Sequence, residues 1–282
     1  MGFFENIKKR RREKDANKNK SNRKDYLLNA DTPFDVTEAF RNLKATLSVS
    51  MPAKEGGAVI AITSSYPEDG KTTVTTNLAL MFAMSDAKVV VLDADIRKGR
   101  VAKFFKRKSS PGLSDYLSGL VSLEDVLHSS HINDNLYFIA CGTHSPKPYE
   151  LLESEKMTAL LNELRTKFDY IVIDTPPVLM VSDALAVAPK TDGTVLTCRH
   201  NVSFVSDVQR SLATLQFAKA NVLGVVVNDY HAPQGKLYSN YRGYYHYSKY
   251  AYNYEYTRDE DDLDEENKTN LKEQEEETSD QN

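Results

Sequence analysis

Six short runs of apolar, mostly β-branched residues recur through the middle of this chain, and within each run apolar residues follow one another instead of alternating with polar ones. This pattern is typical of strands that are buried on both faces, as in a parallel sheet. Helical patterns lie between several of the runs, over residues 72–85, 155–168 and 203–218. The order predicts an α/β fold: a doubly wound, mainly parallel sheet with helices on both faces. The predicted strands are 58–63, 88–93, 135–140, 170–174, 193–198 and 221–228.

The two ends of the 282-residue chain differ in composition from its middle. Residues 8–24 (KKRRREKDANKNKSNRK) are strongly basic and contain a single apolar residue, Ala16, whereas residues 258–282 are dominated by Asp and Glu. Neither end can bury enough apolar surface to offset its ordering entropy, so both are expected to be disordered. The predicted organisation is a basic arm (1–30), a folded domain (31–231), a tyrosine-rich tail (232–257) and an acidic tail (258–282).

Several classes of protein are disfavoured by this sequence. No apolar run approaches the roughly eighteen residues that a membrane span needs, and the N-terminus has no apolar signal-peptide core. The two cysteines, Cys141 and Cys198, are interpreted as small buried residues in a reducing compartment, which predicts a cytoplasmic protein. The basic arm is compatible with a solvated tail, a nucleic-acid contact or a contact with anionic lipid.

The segment SSYPEDGKTT (64–73) follows the first predicted strand and ends in the GK[ST] core of a phosphate-binding loop. In such a loop, backbone N–H groups surround phosphate oxygens, the lysine pairs with the β- and γ-phosphates, and the hydroxyl binds Mg²⁺. Here Lys71 and Thr72 take those positions, and the helix that follows adds its positive N-terminus. One residue departs from the usual pattern, because Ser65 stands where the first glycine is expected. The sequence predicts a site for ATP and Mg²⁺.

Three aspartates follow predicted strands. Asp93 and Asp95 come after the second strand, and Asp174 ends the fourth. Ligands of doubly wound sheets bind at the carboxyl ends of the strands. We therefore expect these carboxylates beside the phosphate-binding loop, where a magnesium–triphosphate complex needs oxygen and water ligands. The alternative is that they cap loops and helices.

Nine of the sixteen tyrosines lie between Leu237 and Tyr256, a stretch without Phe or Trp. Adhesion alone would admit any aromatic residue. The exclusive use of phenols favours phosphorylation, which adds a charge of roughly −1.5 to −2 per site. Adhesion and phosphorylation both remain open from composition alone. The nine residues are Tyr238, Tyr241, Tyr244, Tyr245, Tyr247, Tyr250, Tyr252, Tyr254 and Tyr256.

The motifs SSYPEDGKTT, VVLDADIR and IVIDTPP, in this order and with the tyrosine cluster, resemble the Walker A, Walker A′ and Walker B elements of bacterial tyrosine kinases. These P-loop kinases belong to capsule and exopolysaccharide gene clusters. The resemblance implies that ATP is held by Pro67, Glu68, Asp69, Gly70, Lys71, Thr72, Thr73 and Asn228. It implies that Mg²⁺ is positioned by Thr72, Asp93, Asp95 and Asp174, that Lys71 and these three aspartates are catalytic, and that Asp93 orients the phenol and accepts its proton.

A predicted helix precedes the first strand, with an apolar stripe of Val36, Phe40, Leu43 and Leu47. Asp35 and Glu38 resemble a capping box at its start. Another face carries Glu38, Arg41 and Lys44, which match the ExxRxxR signature through which subunits of the family contact one another in a ring. Lys44 replaces the second arginine and lacks its planar, bidentate geometry. A solvated, charge-paired helix face is the alternative.

The resemblance implies an ATP-dependent protein-tyrosine autokinase that phosphorylates its own tail in trans and regulates the synthesis and export of a surface polysaccharide. The implied partners are a transmembrane co-polymerase that activates the kinase at the inner membrane face, a phosphotyrosine phosphatase, and further copies of the chain in a ring, with an octamer as the candidate size. No nucleic acid is expected. The alternatives are a partitioning-type switch ATPase without kinase activity and a non-catalytic adaptor with an adhesive tail. Partitioning ATPases carry an early lysine in their loop, which Tyr66, Pro67 and Glu68 replace here.

Overall fold

The computed structural model describes residues 27–51 and 56–231, in which the apolar runs form one seven-stranded sheet of order β3-β4-β2-β5-β1-β6-β7. Adjacent strands are parallel except β3 and β4, which are antiparallel. The predicted fold class, an α/β domain with a mainly parallel sheet, is confirmed. The strands are β1 (Ala58–Ser64), β2 (Val89–Asp93), β3 (Leu127–Ser129), β4 (Leu136–Ile139), β5 (Tyr170–Asp174), β6 (Gly193–Arg199) and β7 (Val222–Asn228).

Helices cover both faces of the sheet. Helices α1 to α3 pack on one face with α2 as the central element, α4 to α8 pack mainly on the other, and α9 packs with α8 over β6 on that second face. The helices are α1 (Phe34–Ser50), α2 (Lys71–Ala83), α3 (Val101–Phe104), α4 (Leu113–Leu117), α5 (Leu123–Val126), α6 (Pro148–Glu153), α7 (Glu155–Arg165), α8 (Asp183–Val187) and α9 (Val205–Phe217), with a 3₁₀ turn at Ala188–Lys190.

Central strands are buried on both faces, which explains their continuous apolar sequences. In β2, Val89 and Val91 pack on the α2 side, whereas Val90 and Leu92 pack on the α7 side. The predicted strand boundaries agree with the structure to within one residue. The predicted helices at 72–85 and 203–218 end two residues and one residue earlier, at Ala83 and Phe217, and the helix at 155–168 ends three residues earlier, at Arg165.

The start of α1 differs from the sequence prediction. The helix begins at Phe34, and the N-cap position is taken by Pro33, which has no side-chain capping hydrogen bond, so the proposed capping box of Asp35 and Glu38 is wrong. Asp35 instead lies inside the first turn, where a negative charge is favourable because it faces the positive end of the helix dipole. The apolar stripe is buried only toward its C-terminal end: Leu47 is buried, whereas Val36 is 40% exposed.

The folded part extends slightly beyond the boundary drawn at residue 31. Leu28 is buried, and its backbone N–H donates to the Asn77 side chain on α2. The remainder of the basic arm, the tyrosine-rich tail and the acidic tail lie outside the described residues. None of the helices within residues 27–51 and 56–231 has the length and apolar character needed to cross a bilayer.

The sheet brings three loops to one edge. In the strand register, Asp174 on β5 lies opposite Asp93 on β2 and opposite Ile62 on β1. The phosphate-binding loop follows β1 directly. Since β1, β2 and β5 are parallel neighbours, their carboxyl ends converge where the sequence analysis placed the site.

Candidate active site

The phosphate-binding loop turns into α2 at Gly70, whose backbone has a φ of 96°. This left-handed conformation favours glycine because other residues meet steric strain there. A Cβ at this position would also lie 1.8 Å from the Asn228 side-chain nitrogen, so the loop leaves no room for a side chain. Lys71 is the first residue of α2. The N-terminus of α2 therefore points its free N–H groups at the loop, as an anion site requires.

Lys71 is the centre of a buried charge cluster. Its Nζ lies 3.1 Å from Asp95 Oδ2 and 3.7 Å from Asp174 Oδ1. Burial lowers the pKa of Lys71, but the neighbouring charges of Asp174 and Asp95 outweigh that effect and leave the pKa above its ordinary value. Thr72 Oγ1 donates a 2.7 Å hydrogen bond to Asp174 Oδ2. The residues predicted to hold phosphate and metal thus lie together.

Asp93 has no exposed surface. Its Oδ2 accepts a 3.0 Å hydrogen bond from the Val101 N–H, and its Oδ1 accepts a 3.3 Å bond from the Asp95 N–H. Burial, followed by the charge of Asp174, raises the pKa of Asp93 well above its ordinary value. Gly99 allows the loop after β2 to pack directly against Asp93, since a Cβ at this position would lie 2.5 Å from Asp93 Oδ2. Residues 95–101 therefore close Asp93 off from solvent in this structure.

The donor set fits a divalent cation. Three carboxylates face one lysine, so the cluster has two excess negative charges when all its groups are ionised. Burial also raises the pKa of Asp174, even though Lys71 and Thr72 lower it. Within the described residues, Asp174 Oδ1 is buried without a hydrogen-bond partner. No cluster of three or more His, Cys, Asp or Glu side chains in that part of the chain has metal-ligating geometry. Mg²⁺ would therefore take some of its ligands from the Thr72 hydroxyl, phosphate oxygens and water.

Residues from the end of the sheet support the phosphate-binding loop. The Ser203 hydroxyl donates to Asp69 Oδ1 at 2.9 Å, and Asn228 Nδ2 donates to the Asp69 backbone carbonyl at 3.1 Å. Burial raises the pKa of Asp69, although hydrogen bonds from Tyr66 and Ser203 and the charge of Arg199 oppose it. Asn228 was predicted from its position after the last strand, whereas Ser203 was not predicted, because a lone serine between a strand and a helix carries no recognisable signal.

The unusual Ser65 has a structural role of its own. It is fully buried, and its hydroxyl lies 2.8 Å from the hydroxyl of Ser211 on α9. The hydrogen bond ties the base of the phosphate-binding loop to a helix. This explains how a serine is accommodated where related loops have glycine.

A second contact that supports the site joins Arg97 of the DADIR motif to a residue that the sequence did not reveal. Arg97, in the loop after β2, forms a bidentate pair with the fully buried Asp183 of α8, with nitrogen–oxygen distances of 2.7 and 3.1 Å. The pair fixes the loop that carries Asp95 to the opposite layer of the fold. Asp183 could not be found from sequence, because it lies 86 residues from Arg97 and belongs to no motif.

The other predicted residues are arranged as follows. Pro67 and Glu68 are exposed in the phosphate-binding loop, and Thr73 is half-buried on α2. On α1, Arg41 pairs with Glu38 of the same helix, and the Lys44 ammonium donates to the Ser85 hydroxyl of the same chain. The nine tail tyrosines lie outside the described residues.

Both cysteines are buried and free, as predicted. Cys141 lies against Gly99 beside Asp93. Burial, with a smaller contribution from the charge of Asp93, raises the pKa of its thiol to about 12. A thiol with this pKa stays protonated near neutral pH, so Cys141 acts as packing and not as a nucleophile.

Comparisons with known proteins show the family to which the chain belongs. Residues 57–216 match the model of the AAA domain family. The chain is 37% identical over 171 residues to the tyrosine-protein kinase CpsD of Streptococcus pneumoniae, which covers 60% of this chain and 75% of that protein. It is 34% identical over 204 residues to the tyrosine-protein kinase Etk of Escherichia coli K12; this match covers 72% of the chain but only 28% of the relative.

A solved structure of a tyrosine kinase domain has a similar fold. The kinase domain of the Escherichia coli tyrosine kinase ETK superposes with a TM-score of 0.64 at 32% identity, over 72% of this chain and 80% of that one. This likeness supports the P-loop NTPase-like description of the fold and covers most of the described residues.

Proposed function

Since the chain belongs to the family of bacterial tyrosine kinases, we propose that it is an ATP-dependent autokinase that phosphorylates its own tyrosine-rich tail in trans within an oligomer. The observation that carries this proposal is the cluster of Lys71, Thr72, Asp95 and Asp174 at the start of α2. These side chains combine a phosphate-binding cation with oxygen ligands for a metal. The same chain also carries the tyrosine-rich tail, with nine tyrosines between Leu237 and Tyr256.

Each residue has a defined task in this proposal. The N–H groups around Asp69 and Gly70 and the Lys71 ammonium hold the β- and γ-phosphates, while Thr73 reaches toward the α-phosphate and Asn228 contacts the adenine. Thr72, Asp95 and Asp174 hold Mg²⁺, directly or through water. Mg²⁺ held by these residues would supply positive charge against the phosphate charge that develops during transfer. Lys71 would exchange its present contacts with carboxylates for contacts with phosphate.

Asp93 is proposed to orient the phenol and to take its proton late. Deprotonating a phenol of pKa near 10 with a carboxylate of pKa near 4 would cost about 8 kcal/mol before transfer. A loose phosphoryl-transfer transition state needs little ionisation of the nucleophile. The γ-phosphorus–oxygen bond to ADP breaks while the bond to the tyrosine oxygen forms, and the proton passes to Asp93. The raised pKa of Asp93 favours this final step.

The remaining parts of the proposal concern assembly. Glu38, Arg41 and Lys44 contribute to contacts between neighbouring copies in a ring, with an octamer as the candidate size. Tethering in the ring supplies tail tyrosines at an effective concentration near millimolar. Phosphorylation then adds negative charge to the tail, and repulsion loosens the ring. A phosphotyrosine phosphatase resets the cycle.

The cellular setting follows from the same family. We propose that the kinase acts in the cytoplasm at the inner face of the plasma membrane, where a transmembrane polysaccharide co-polymerase activates it. The basic arm would lie near anionic lipid there. The pathway is the synthesis and export of a capsule or exopolysaccharide.

Transfer of labelled γ-phosphate tests the proposal. With Mg²⁺ present, label is expected on the protein, and Lys71→Met should lower incorporation at least about 100-fold because it removes the phosphate-binding cation. Label that appears only as inorganic phosphate would instead support the partitioning-type ATPase. Absence of nucleotide binding would support the adaptor.

The role of Asp93 needs its own variant. Asp93→Asn is expected to bind ATP with near-normal affinity and to lose phosphotransfer, because an amide cannot accept the phenol proton. Circular dichroism should accompany the assay, since an Asn side chain cannot accept both backbone hydrogen bonds that Asp93 now receives. Normal autophosphorylation of a folded Asp93→Asn chain would remove Asp93 as the base.

A further inference from the structure

A dense group of cations borders the active-site loop. Residues 97–108 (RKGRVAKFFKRK) contain seven Lys or Arg and no acidic residue. Arg97 is paired with Asp183. The other six are exposed, and no ion pair joins any of them to another residue in 27–51 or 56–231. We name these six the basic patch: Lys98, Arg100, Lys103, Lys106, Arg107 and Lys108.

The basic patch has a fixed support. Val101, Ala102 and Phe105 from the same segment are buried, and the Phe105 ring stacks on Phe138 of β4 with centroids 4.5 Å apart. This apolar side anchors the segment, so the cations are held on the outer side. Some cations elsewhere in the described residues are ion-paired: Arg165 pairs with Asp192, and Lys167 pairs with Glu163. The basic patch therefore concentrates positive charge that the described part of the domain leaves uncompensated.

The basic patch adjoins the catalytic carboxylates. The Lys98 backbone N–H donates to Asp95 Oδ1 at 3.0 Å, and the Val101 N–H donates to Asp93 Oδ2. The N-terminal end of the segment that carries the basic patch therefore lies beside the proposed phosphoryl-transfer site, and a polypeptide that reaches this end is held close to that site. A chemically complementary segment is encoded in the same chain. Residues 259–266 (DEDDLDEE) are acidic at seven of eight positions.

We propose that the basic patch is the docking site for the acidic segment 259–266 of a second copy of this chain, and that this docking presents the tyrosine cluster to the active site. The inference rests on the proposed trans-autokinase function and identifies how its substrate is recognised. Asp259 lies three residues after Tyr256. Three residues span at most about 10 Å, so a docked acidic segment keeps the last tyrosines close to the loop of residues 95–101.

With docking of this kind, recognition of the acceptor chain does not depend on the residues that flank each tyrosine. The acidic segment supplies affinity through charge, while the tyrosines upstream of it exchange at the site. Electrostatic attraction of this type mainly raises the association rate and weakens as salt is added. It also gives a use to the acidic tail, which the kinase function does not otherwise require.

A two-chain assay isolates this contact. The acceptor is the full chain carrying Lys71→Met, which cannot phosphorylate itself. The donor is the full chain with Phe at all nine tail tyrosines and with residues 259–266 neutralised to Asn or Gln. Only the acceptor then offers the nine tail tyrosines and the acidic segment 259–266, and its phosphorylation is followed on peptides from the tail. The initial rate of acceptor phosphorylation is measured against acceptor concentration at saturating Mg²⁺–ATP.

Neutralising the basic patch in the donor should weaken acceptor recognition. The variant K103Q/K106Q/R107Q/K108Q is expected to raise KM for the acceptor about tenfold, leave kcat and KM for ATP unchanged, and reduce the dependence on salt. The matched control is K8Q/K9Q/R10Q/R11Q in the N-terminal arm, which removes equal charge and should leave KM for the acceptor unchanged. Neutralising the acidic residues of 259–266 in the acceptor should raise KM for the acceptor by the same factor. Combining this acceptor with the patch variant of the donor should raise KM no further.

A charge exchange provides the strictest version of the test. Glu at donor positions 103, 106, 107 and 108, combined with Lys at acceptor positions 259 to 262, should restore most of the lost recognition. An unchanged KM in the patch variant, or an equal rise in the arm control, would overturn the docking proposal. No acceptor phosphorylation with the unaltered patch would instead contradict the kinase function.

Anionic lipid is the competing occupant. Vesicles of phosphatidylglycerol and phosphatidylcholine would be sedimented with the wild-type chain and with the patch variant. Loss of vesicle binding together with an unchanged KM for the acceptor would assign the basic patch to the membrane and overturn the proposal.

Discussion

Asp115 and Asp174 are both buried carboxylates, but their surroundings shift their pKa values in opposite directions. Burial raises the pKa of Asp115, yet hydrogen bonds from the side chain and backbone of Thr143 and from the Gly112 N–H leave it below its ordinary value. Burial raises the pKa of Asp174, and Lys71 and Thr72 only partly compensate. The first carboxylate is satisfied by its own chain, whereas the second retains an oxygen without a hydrogen-bond partner among the described residues.

The difference shows what each region is built to do. Asp115 Oδ2 accepts the Gly112 N–H at 2.9 Å and the Thr143 N–H at 3.0 Å, so it joins the start of α4 to the turn after β4. Asp93, Asp95 and Asp174 instead place several negative charges close together in a buried site. Their mutual repulsion lowers the stability of the folded state unless a further cation binds there. The active-site carboxylates thus destabilise the fold, whereas hydrogen-bonded carboxylates such as that of Asp115 stabilise it.

The largest effect is expected at the site. Asp174→Asn should reduce phosphotransfer at least about 100-fold, because the metal loses an anionic ligand. The same change should leave the nucleotide-free protein at least as stable as wild type, because burial raises the pKa of Asp174 and an uncharged amide avoids the cost of a buried charge. Kinase assays and urea unfolding without nucleotide measure the two quantities. A marked loss of stability would contradict the comparison.

A smaller effect is expected at Asp115, where substitution should lower stability and leave phosphotransfer nearly unchanged. Asp115→Asn should lower the free energy of unfolding by about 1–3 kcal/mol at pH 7, because an amide cannot serve all the donors that converge on the carboxylate. Phosphotransfer by the folded variant should stay within about twofold of wild type. Urea unfolding and the kinase assay check both parts, and Asp115→Glu serves as a control that keeps the charge but moves it.

The Asp115 effect should depend on pH with a definite sign. Its pKa is lowered on folding, so the carboxylate contributes stability above the unfolded pKa near 3.9, and that contribution is lost as pH falls through the folded pKa. The stability difference between wild type and Asp115→Asn should therefore shrink below about pH 4. A difference that stays constant down to pH 3 would show that charge is not involved.

The smallest effect is expected at Ser65. Ser65→Ala removes the hydrogen bond to Ser211 and should cost about 0.5–1.5 kcal/mol of stability. Affinity for ATP should fall no more than a few-fold, because the loop keeps Gly70 and its support from Asn228. Thermal unfolding with and without Mg²⁺–ATP separates the two outcomes. Complete loss of ATP binding would mean that Ser65 acts in the loop itself.

The sequence was sufficient for six of the seven strands in the described residues, because apolar runs define buried strands. It was also sufficient for the convergence of Lys71, Thr72, Asp93, Asp95 and Asp174, because parallel strands end at one edge. It could not reveal β3 or the short helices α3 to α6 and α8, which are too brief to show a period. Pairings such as Arg97 with Asp183 depend on tertiary packing between remote segments. The capping box failed since a sequence pattern does not fix where a helix starts.

Phosphopeptide mapping after incubation with Mg²⁺–ATP tests the central claim most directly, namely that this nucleotide site and the tail phenols belong to one reaction. Phosphate is expected on the nine tyrosines between 238 and 256, and not on Tyr66 or Tyr230, which are exposed on the domain. Lys71→Met should show none. Phosphate confined to domain tyrosines, or ADP formed without any phosphotyrosine, would contradict the account.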